Sequence, residues 1–400
     1  MERATIEEVM QMMLKEIPHG IAEELSLLDA LGCELAEDLL SPVDQPPFPR
    51  SPLDGYAVRA EDLKGASEEC PAVLTVIDEV MAGGYSNAVL KEKTAVRIMT
   101  GAPVPAGADC IVRQEDTDYG EDEVSIYVEH RAFENYCFQG EDFKKGDCLV
   151  EKGTPLDSIA IGIAASMGRD KVLAYRKPKV AVFATGDELV EPGQPLLPGK
   201  IYNSNLYVLV SRLMELGIRP VMMQAVEDNE TVMGEKIKTA ASKADLIITT
   251  GGVSVGKKDI MHGALEGIGA RRLFWGIRMK PGMPTLCSVY ENTLVISLSG
   301  NPFGAVANME VLVRPVLARL SHQDALIPKV EEGIMEDAFL KESRVRRMVR
   351  GVIADGKVTL PKGLHSSGVL GSMMGCNCLI DVPAGTKKLE PGDRVSVILC

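Results

Sequence analysis

Apolar positions along this 400-residue chain fall into successive patterns. At the start, Ile6, Val9, Met10, Met13 and Ile17 recur at helical spacing behind a capping box at residues 5–8 (TIEE), and Pro18 and Gly20 end the helix. A second helix is expected over about residues 26–40. The connector that follows, SPVDQPPFPRSPLDG at 41–55, excludes helix, because proline lacks the N–H and clashes with the preceding turn. From about Tyr56 to Gln139 come short alternating runs (VLTVIDEV, AVRIMT, DCIVRQE, VSIYVEHR) separated by turn signals, which read as an inserted β-domain. A loop, GEDFKKGDCLVEKGTPL, leads to a helix over about 159–167. The two helical pieces are expected to pack as one discontinuous domain.

Residues 178–322 change period. KVAVFA, PVMMQAV, DLIITT, RLFWGI, TLCSV and LVISL are strand-like, and helix-like segments at 205–216, 230–242, 258–267 and 304–320 alternate with them. This alternation predicts a doubly wound, largely parallel α/β domain. The tail from about 323 alternates again between Gly/Pro turns, as a small β-barrel or sandwich does. The expected fold is multidomain α/β plus β. Its expected parts are 1–50 with 141–177 (helical, discontinuous), 51–140 (inserted β), 178–322 (α/β) and 323–400 (β).

Composition narrows the functional classes. A net charge of -14 argues against a general nucleic-acid or anionic-membrane binder, so an anionic ligand needs a local cluster of donors or a bridging cation. No apolar run approaches the ~20 residues of a membrane span. The start, MERATIEEVM, lacks the apolar core of a signal peptide, and a cytoplasmic location is expected. Among the nine cysteines there is no CxxC pair, and Cys376 with Cys378 has no His or second Cys pair nearby, so structural thiols are expected rather than zinc ligands.

Ligands of open α/β sheets sit beyond the carboxyl ends of the strands. Three such ends carry unusual loops. Thr185, Gly186, Asp187 and Glu188 follow VAVFA. Thr250, Gly251, Gly252, Val253, Ser254, Val255 and Gly256 follow DLIIT, with Asp259 three residues on. Ser299, Gly300, Asn301 and Pro302 follow LVISL and open the last helix. Glycines admit close backbone approach, and N–H groups at a helix start make an anion cradle. Such turns also serve merely to close strands into helices, but three on one rim, two bearing acids, point to a site. Acids beside a phosphate make sense if a hard cation such as Mg²⁺ bridges them, with Glu188 and Asp259 as its candidate ligands. Neither a GxGxxG nor a Walker motif is present.

Other groups are less specific. Lys280, opening Lys280-Pro281-Gly282-Met283-Pro284, can supply a local cation or be an ordinary turn lysine. Asp54 in SPLDGYA and Asp142 in QGED stand in Gly/Pro loops, where a single aspartate is ordinarily a turn residue. Arg344, Arg346, Arg347 and Arg350 read either as a solvated strand face or as an anion site. No histidine pairs with a serine or cysteine nucleophile.

Taken in order, PPFPRSPLDGYAVRAEDL, TGAPVPAGADCIVRQEDT, GEDFKKGD, ATGDELVEPG, TTGGVSVGKKD, KPGMP and SGNPFGAV resemble the molybdopterin molybdenumtransferase (MoeA) family, which includes the gephyrin E domain and its plant counterpart. The likeness spans nearly the whole chain. It implies an elongated four-domain homodimer: an N-terminal helical domain with an inserted β-domain, an α/β molybdopterin-binding domain and a C-terminal β-barrel. It also implies insertion of molybdate into adenylylated molybdopterin with Mg²⁺-dependent release of AMP, and it makes the molybdopterin adenylyltransferase a candidate partner. Carried over residue by residue, the family's functional carboxylates fall on Asp54, Asp142, Glu188, Asp228 of VEDN and Asp259. Its motif lysine falls on Lys280, and the arginine and serines of its proposed molybdate pocket fall on Arg350, Ser367 and Ser372.

The chain departs from that pattern. Met283 stands where a second lysine is usual, Ser299 where a proline is, and Gln139 where an arginine precedes GED. Asn229 replaces a second aspartate, and SPLDGYA replaces SAMDGYA. The alternative to an enzyme is therefore a binding or scaffold paralogue with the fold and pterin pocket but reduced or no turnover. The retained acids favour the enzyme. Adenylylation of molybdopterin, a third reading, leaves the flanking domains unexplained.

Overall fold

A computed structural model describes residues 3–254, 260–363 and 365–400. The chain divides into two compact units, one of Leu25–Val172, the other of Met1–Glu24 joined with Leu173–Cys400.

In the Leu25–Val172 unit, five strands pair in the order Cys110–Arg113, Gly55–Val58, Thr94–Ile98, Ala72–Val80, Glu123–Ile126. Neighbours are antiparallel except Ala72–Val80 with Thr94–Ile98. Alternation gives the sheet two apolar faces: Val58, Leu74 and Val112 join one cluster, and Ala57, Val96 and Ile111 the other. This is the inserted β-sheet that the short alternating runs predict.

Residues 26–40 do not form the expected helix. The Ser26 hydroxyl donates to the Asp29 carboxylate at 2.6 Å and accepts the Asp29 N–H at 3.3 Å. Gly32 takes φ +74°, and the short strands Glu34–Leu35 and Leu39–Leu40 follow. Leu28 is 82% exposed, so no buried apolar stripe runs through that position to support a helix. The later helix, Ser158–Ser166, forms as expected, with the Asp157 carboxylate accepting the N–H groups of Ile159 and Ala160.

In the other unit, six strands pair in the order Met222–Val226, Val180–Thr185, Leu246–Thr250, Thr293–Leu298, Leu286–Tyr290, Arg271–Trp275. Leu286–Tyr290 runs against the other five. Val180, Val182 and Ala184 pack with residues of the helices Ile6–Lys15, Ser204–Glu215 and Pro302–Asn308, while Ala181 and Phe183 pack with those of Glu230–Ala241 and Ile260–Gly267. Helices thus cover both faces, which is why these strands read as nearly unbroken apolar runs.

The helix Ile6–Lys15 has the predicted capping box, and Ile6, Val9 and Met13 enter this α/β core. The sequence alone pairs it instead with Ser158–Ser166, a helix of the other unit. Glu310, 1% exposed, accepts from Arg212 Nε and from Arg314 Nη1, both at 2.7 Å, and so ties the segment after Pro302–Asn308 to Ser204–Glu215.

The last five strands close on themselves. Arg346–Ala354, Lys357–Thr359, Val330–Met335, Arg394–Leu399 and Cys378–Val382 pair in that order, and the last returns to the first. This is the C-terminal β-barrel, filled by Met335, Val349, Val358, Ile380 and Val397. Met279–Lys280 pairs in parallel with Arg346 and Arg347, which hangs the Lys280 loop on the barrel. Among the described residues no helix is long and apolar enough to cross a membrane.

Candidate functional site

The three loops singled out by sequence meet on one rim of the α/β sheet. The Thr185 hydroxyl donates to Asp228 Oδ1 at 2.7 Å. The Asp187 N–H donates to Asp228 Oδ2 at 3.2 Å, and the Asp228 N–H returns a bond to Asp187 Oδ1 at 3.2 Å. Both Asp228 oxygens are thereby committed to joining two strand ends. The Thr250 hydroxyl donates to the Ser299 carbonyl at 3.1 Å, and the Asn205 amide donates to Thr250 Oγ1 at 3.2 Å and to the Gly300 carbonyl at 2.8 Å.

The bare backbone after Thr250 has a local cause. Gly251 takes φ +95°, and a Cβ there would stand 2.2 Å from the Thr185 carbonyl oxygen. The neighbouring strand end requires this glycine whether or not a phosphate lies nearby. At Gly186 a Cβ would stand 2.8 Å from both Glu188 carboxylate oxygens, so that side chain folds back over bare backbone. Together these loops line a cavity of about 740 Å³, with Thr185, Gly186, Glu188, Asp228, Gly251, Gly252, Ser254, Ser299, Gly300, Asn301 and Pro302 in its wall. Ile201, Tyr202 and Asn205 complete it on the side of the helix Ser204–Glu215.

A second cavity, about 460 Å³, adjoins the first and shares Pro284, Ser299 and Asn301 with it. Lys280, Lys341, Arg347, Arg350 and His365 line it, together with Pro281, Gly282, Met283 and Ser367, and among the described residues no carboxylate does. The Lys280 loop is held by Asn308, fully buried, whose amide donates to the Gly282 carbonyl at 3.1 Å and to Thr285 Oγ1 at 2.6 Å. Gly282 has φ +93°, and a Cβ there would stand 2.4 Å from Asn308 Oδ1. Met283 is 38% exposed, and its sulfur accepts from Arg3 at 2.8 Å.

Arg350 is 1% exposed. It donates to the Val369 and Ser366 carbonyls, both at 2.7 Å, and to the Ser372 hydroxyl, and its guanidinium lies 4.0 Å from the Phe303 ring centroid. Its Nε has no partner among the described residues, and burial pulls its pKa below the ordinary arginine value. A buried guanidinium facing neutral acceptors lacks its counter-charge, and an oxyanion supplies one. The basic run therefore divides. Arg346 is neutralised by a fork to Asp381 (2.8 and 2.6 Å) and by Glu7, Arg344 stands in solvent, and Arg347 and Arg350 reach the cavity. Ser372 reaches the cavity through Arg350 rather than as part of its wall.

The remaining candidates lie elsewhere. Asp54 and Asp142 belong to the Leu25–Val172 unit. Asp54 accepts from the Thr100 N–H and hydroxyl, both at 2.7 Å, and these bonds hold its carboxyl below the usual carboxylate range. Asp142 is exposed, beside Ser158 and Ile159 at a cavity of about 390 Å³. Gly256 and Asp259, like the predicted start of a helix at 258, lie outside the described residues. Asp187 serves the rim through Asp228.

Sequence reasoning missed Asn205, Tyr202, Lys341 and His365. The run YNSN before an apolar helical repeat signals an N-cap, and Asn203 does cap Ser204–Glu215, so Asn205 was within reach. Lys341 and His365 come from isolated positions in loops around the barrel and carry no local signal.

Residues 4–168 match the family described as MoeA N-terminal region (domain I and II), 181–319 the probable molybdopterin binding domain, and 332–400 the MoeA C-terminal region (domain IV). A molybdopterin molybdenumtransferase of Staphylococcus epidermidis is 35% identical over 398 residues, covering 99% of this chain and 95% of the relative. That of Bacillus subtilis is 36% identical over 387 residues, covering 95% of this chain and 90% of the relative. A crystal structure of a molybdopterin biosynthesis MoeA protein from Pyrococcus horikoshii superposes with a TM-score of 0.77 at 30% identity, over 100% of this chain and 99% of that one. Likeness of this extent, end to end and in both sequence and fold, places the chain in the molybdopterin molybdenumtransferase (MoeA) family of molybdenum cofactor biosynthesis.

Proposed function

We propose that this transferase inserts molybdate into adenylylated molybdopterin and releases AMP, with Mg²⁺ at the phosphate end of the site. The observation that carries the reading is the junction of two unlike cavities, one walled by glycines, hydroxyls, Glu188 and Asp228, the other basic and without an acid among the described residues, with Ser299 and Asn301 in both walls. The larger has room for a pterin nucleotide, and the smaller suits a compact oxyanion.

The chain's own groups divide the work. Lys280, Arg347 and Arg350 hold molybdate through charge-assisted hydrogen bonds. Asp228 keeps the Thr185 and Asp187 loop in register for the pyrophosphate, and Glu188 faces the same cavity. Among the described residues no three ligating side chains gather into a metal cage. Mg²⁺ takes most of its oxygens from water and substrate phosphate, and Glu188, with Asp259 outside the described residues, would be its protein ligands. When bound, Mg²⁺ neutralises charge developing on the phosphate oxygens as the anhydride breaks.

The same reading includes a cytoplasmic homodimer in which Asp54 completes the site of the partner chain, with Asp142 as a further functional carboxylate. It also includes the four-part division at 50/51, 140/141, 177/178 and 322/323, and a molybdopterin adenylyltransferase as the source of substrate. The test supplies adenylylated molybdopterin, Mg²⁺ and molybdate and measures AMP and cofactor together. Equal release of both is expected. Tight pterin binding without AMP release would favour a binding paralogue, the reading to which Met283 and Ser299 lend weight.

A further inference from the structure

The basic cavity contains one group that changes charge near neutral pH. His365 lines it beside Arg350 and Lys341, and its Nδ1 is buried with no hydrogen-bond partner among the described residues. A buried ring nitrogen without a partner costs free energy, and a ligand in the cavity can satisfy it.

We propose that His365 is a proton-coupled ligand of the oxyanion, neutral when the cavity holds none and taking up one proton as a tetrahedral dianion binds. This rests on reading the basic cavity as the molybdate pocket. The charged groups lining the cavity with His365 are Arg347 and Arg350 of the strand Arg346–Ala354, Lys341 of the segment before it, and Lys280 of the loop hung on the barrel. Among the described residues no carboxylate lines the cavity. Without an anion, everything around the ring works against an imidazolium. Burial, then Arg350, then Lys341 lower its pKa from the ordinary histidine value, and only the Pro361 carbonyl acts in the opposite sense. A dianion placed among these cations reverses the field and raises the same pKa.

The sign follows from linkage. The bound state holds the extra proton, so affinity is greatest at low pH and falls as pH rises from the free-state pKa to the bound-state pKa. The fall is at most about tenfold per pH unit, and affinity levels off above the bound-state value.

The test titrates the full-length protein with sodium molybdate alone from about pH 6 to about 8.5, the range in which a histidine changes charge. Calorimetry in two buffers of different ionisation enthalpy counts protons. Wild type is expected to take up a fraction of a proton approaching one and to lose affinity as pH rises. His365→Gln, which keeps an N–H donor but does not titrate, is expected to bind with a flat pH profile and no proton uptake. Should that variant fail to fold, His365→Asn makes the same comparison. A glutamine or asparagine variant with the wild-type slope and proton count overturns the role of His365 and leaves the pocket standing. Wild type that binds no molybdate at any pH overturns the pocket itself, and the inference with it.

Discussion

The Thr185 hydroxyl and the Asp228 carboxylate, 43 residues apart in sequence, meet at 2.7 Å and join two adjacent strand ends of the α/β sheet. With its second oxygen taken by the Asp187 N–H, Asp228 acts as a positioning residue for the loop that carries Glu188. Thr185→Val removes the donor at nearly constant volume in a buried position. The expected result is a loss of about 1 kcal/mol in stability, with a larger proportional fall in kcat for AMP release than in substrate affinity. Urea unfolding and steady-state kinetics check the two parts. Unchanged kcat would mean the loop holds its place without this bond.

Gly251 provides a sharper stability test. Gly251→Ala puts a methyl group against the Thr185 carbonyl at a positive φ, and a loss of about 3 kcal/mol or more is expected from strain and overlap together. Gly162, inside the helix Ser158–Ser166 with open space around it, is the control. Gly162→Ala is expected to raise stability by up to about 1 kcal/mol. Equal Tm changes in the two variants would contradict the close approach described at Gly251.

Met283 lies in the wall of the basic cavity, so Met283→Lys adds a cation beside the oxyanion. Molybdate affinity is expected to rise roughly fivefold, the equivalent of about 1 kcal/mol, and to fall more steeply with salt. The lysine also displaces the Arg3 contact, and Arg3→Ala is the control for that loss. Identical affinity and salt slope in wild type and Met283→Lys would show that the substitution of lysine by methionine is neutral for binding.

Asp54 gives a prediction in pH. Its carboxyl is held low by the Thr100 N–H first and the Thr100 hydroxyl second. Thr100→Val removes only the hydroxyl, so the Asp54 pKa moves up towards the ordinary carboxylate value. An activity that needs ionised Asp54 is lost as pH falls through that pKa, and its acid limb therefore moves to higher pH in the variant. A pH–rate profile, with carboxyl NMR as an independent titration, reads the shift. An unmoved acid limb beside a raised NMR pKa would remove Asp54 from the reaction.

The α/β unit was legible because both of its signals are local. The run at 180–185 is apolar at every position before Thr185, since helices cover both faces, and three of the strands, 180–185, 246–250 and 293–298, run into a hydroxyl and a glycine. Residues 26–40 misled for the converse reason. A helix is expected there, but Leu28 and Leu31 face solvent and the Ser26–Asp29 turn sets the backbone instead. The rim was visible as three loops on one sheet. The basic cavity was not, because its wall gathers Lys280, Lys341, Arg350 and His365 from separate stretches of chain, and only the closed barrel brings them together. Sequence grouped Arg344 with Arg350 by proximity, yet one stands in solvent and the other is buried.

On the proposed reading, a cavity with no acid among the described residues of its wall, in a chain of net charge -14, also sorts anions by size. At physiological ionic strength a charge is felt over about 8 Å, so a compact dianion inside the cavity responds mainly to the four cations around it. An extended polyanion cannot shrink its field into that volume. Most of its charges stay outside, where the excess of carboxylates repels them. On that reading a compact inorganic anion is admitted while an extended polyanion such as nucleic acid is kept away by the same net acidity that argues against a general anion binder.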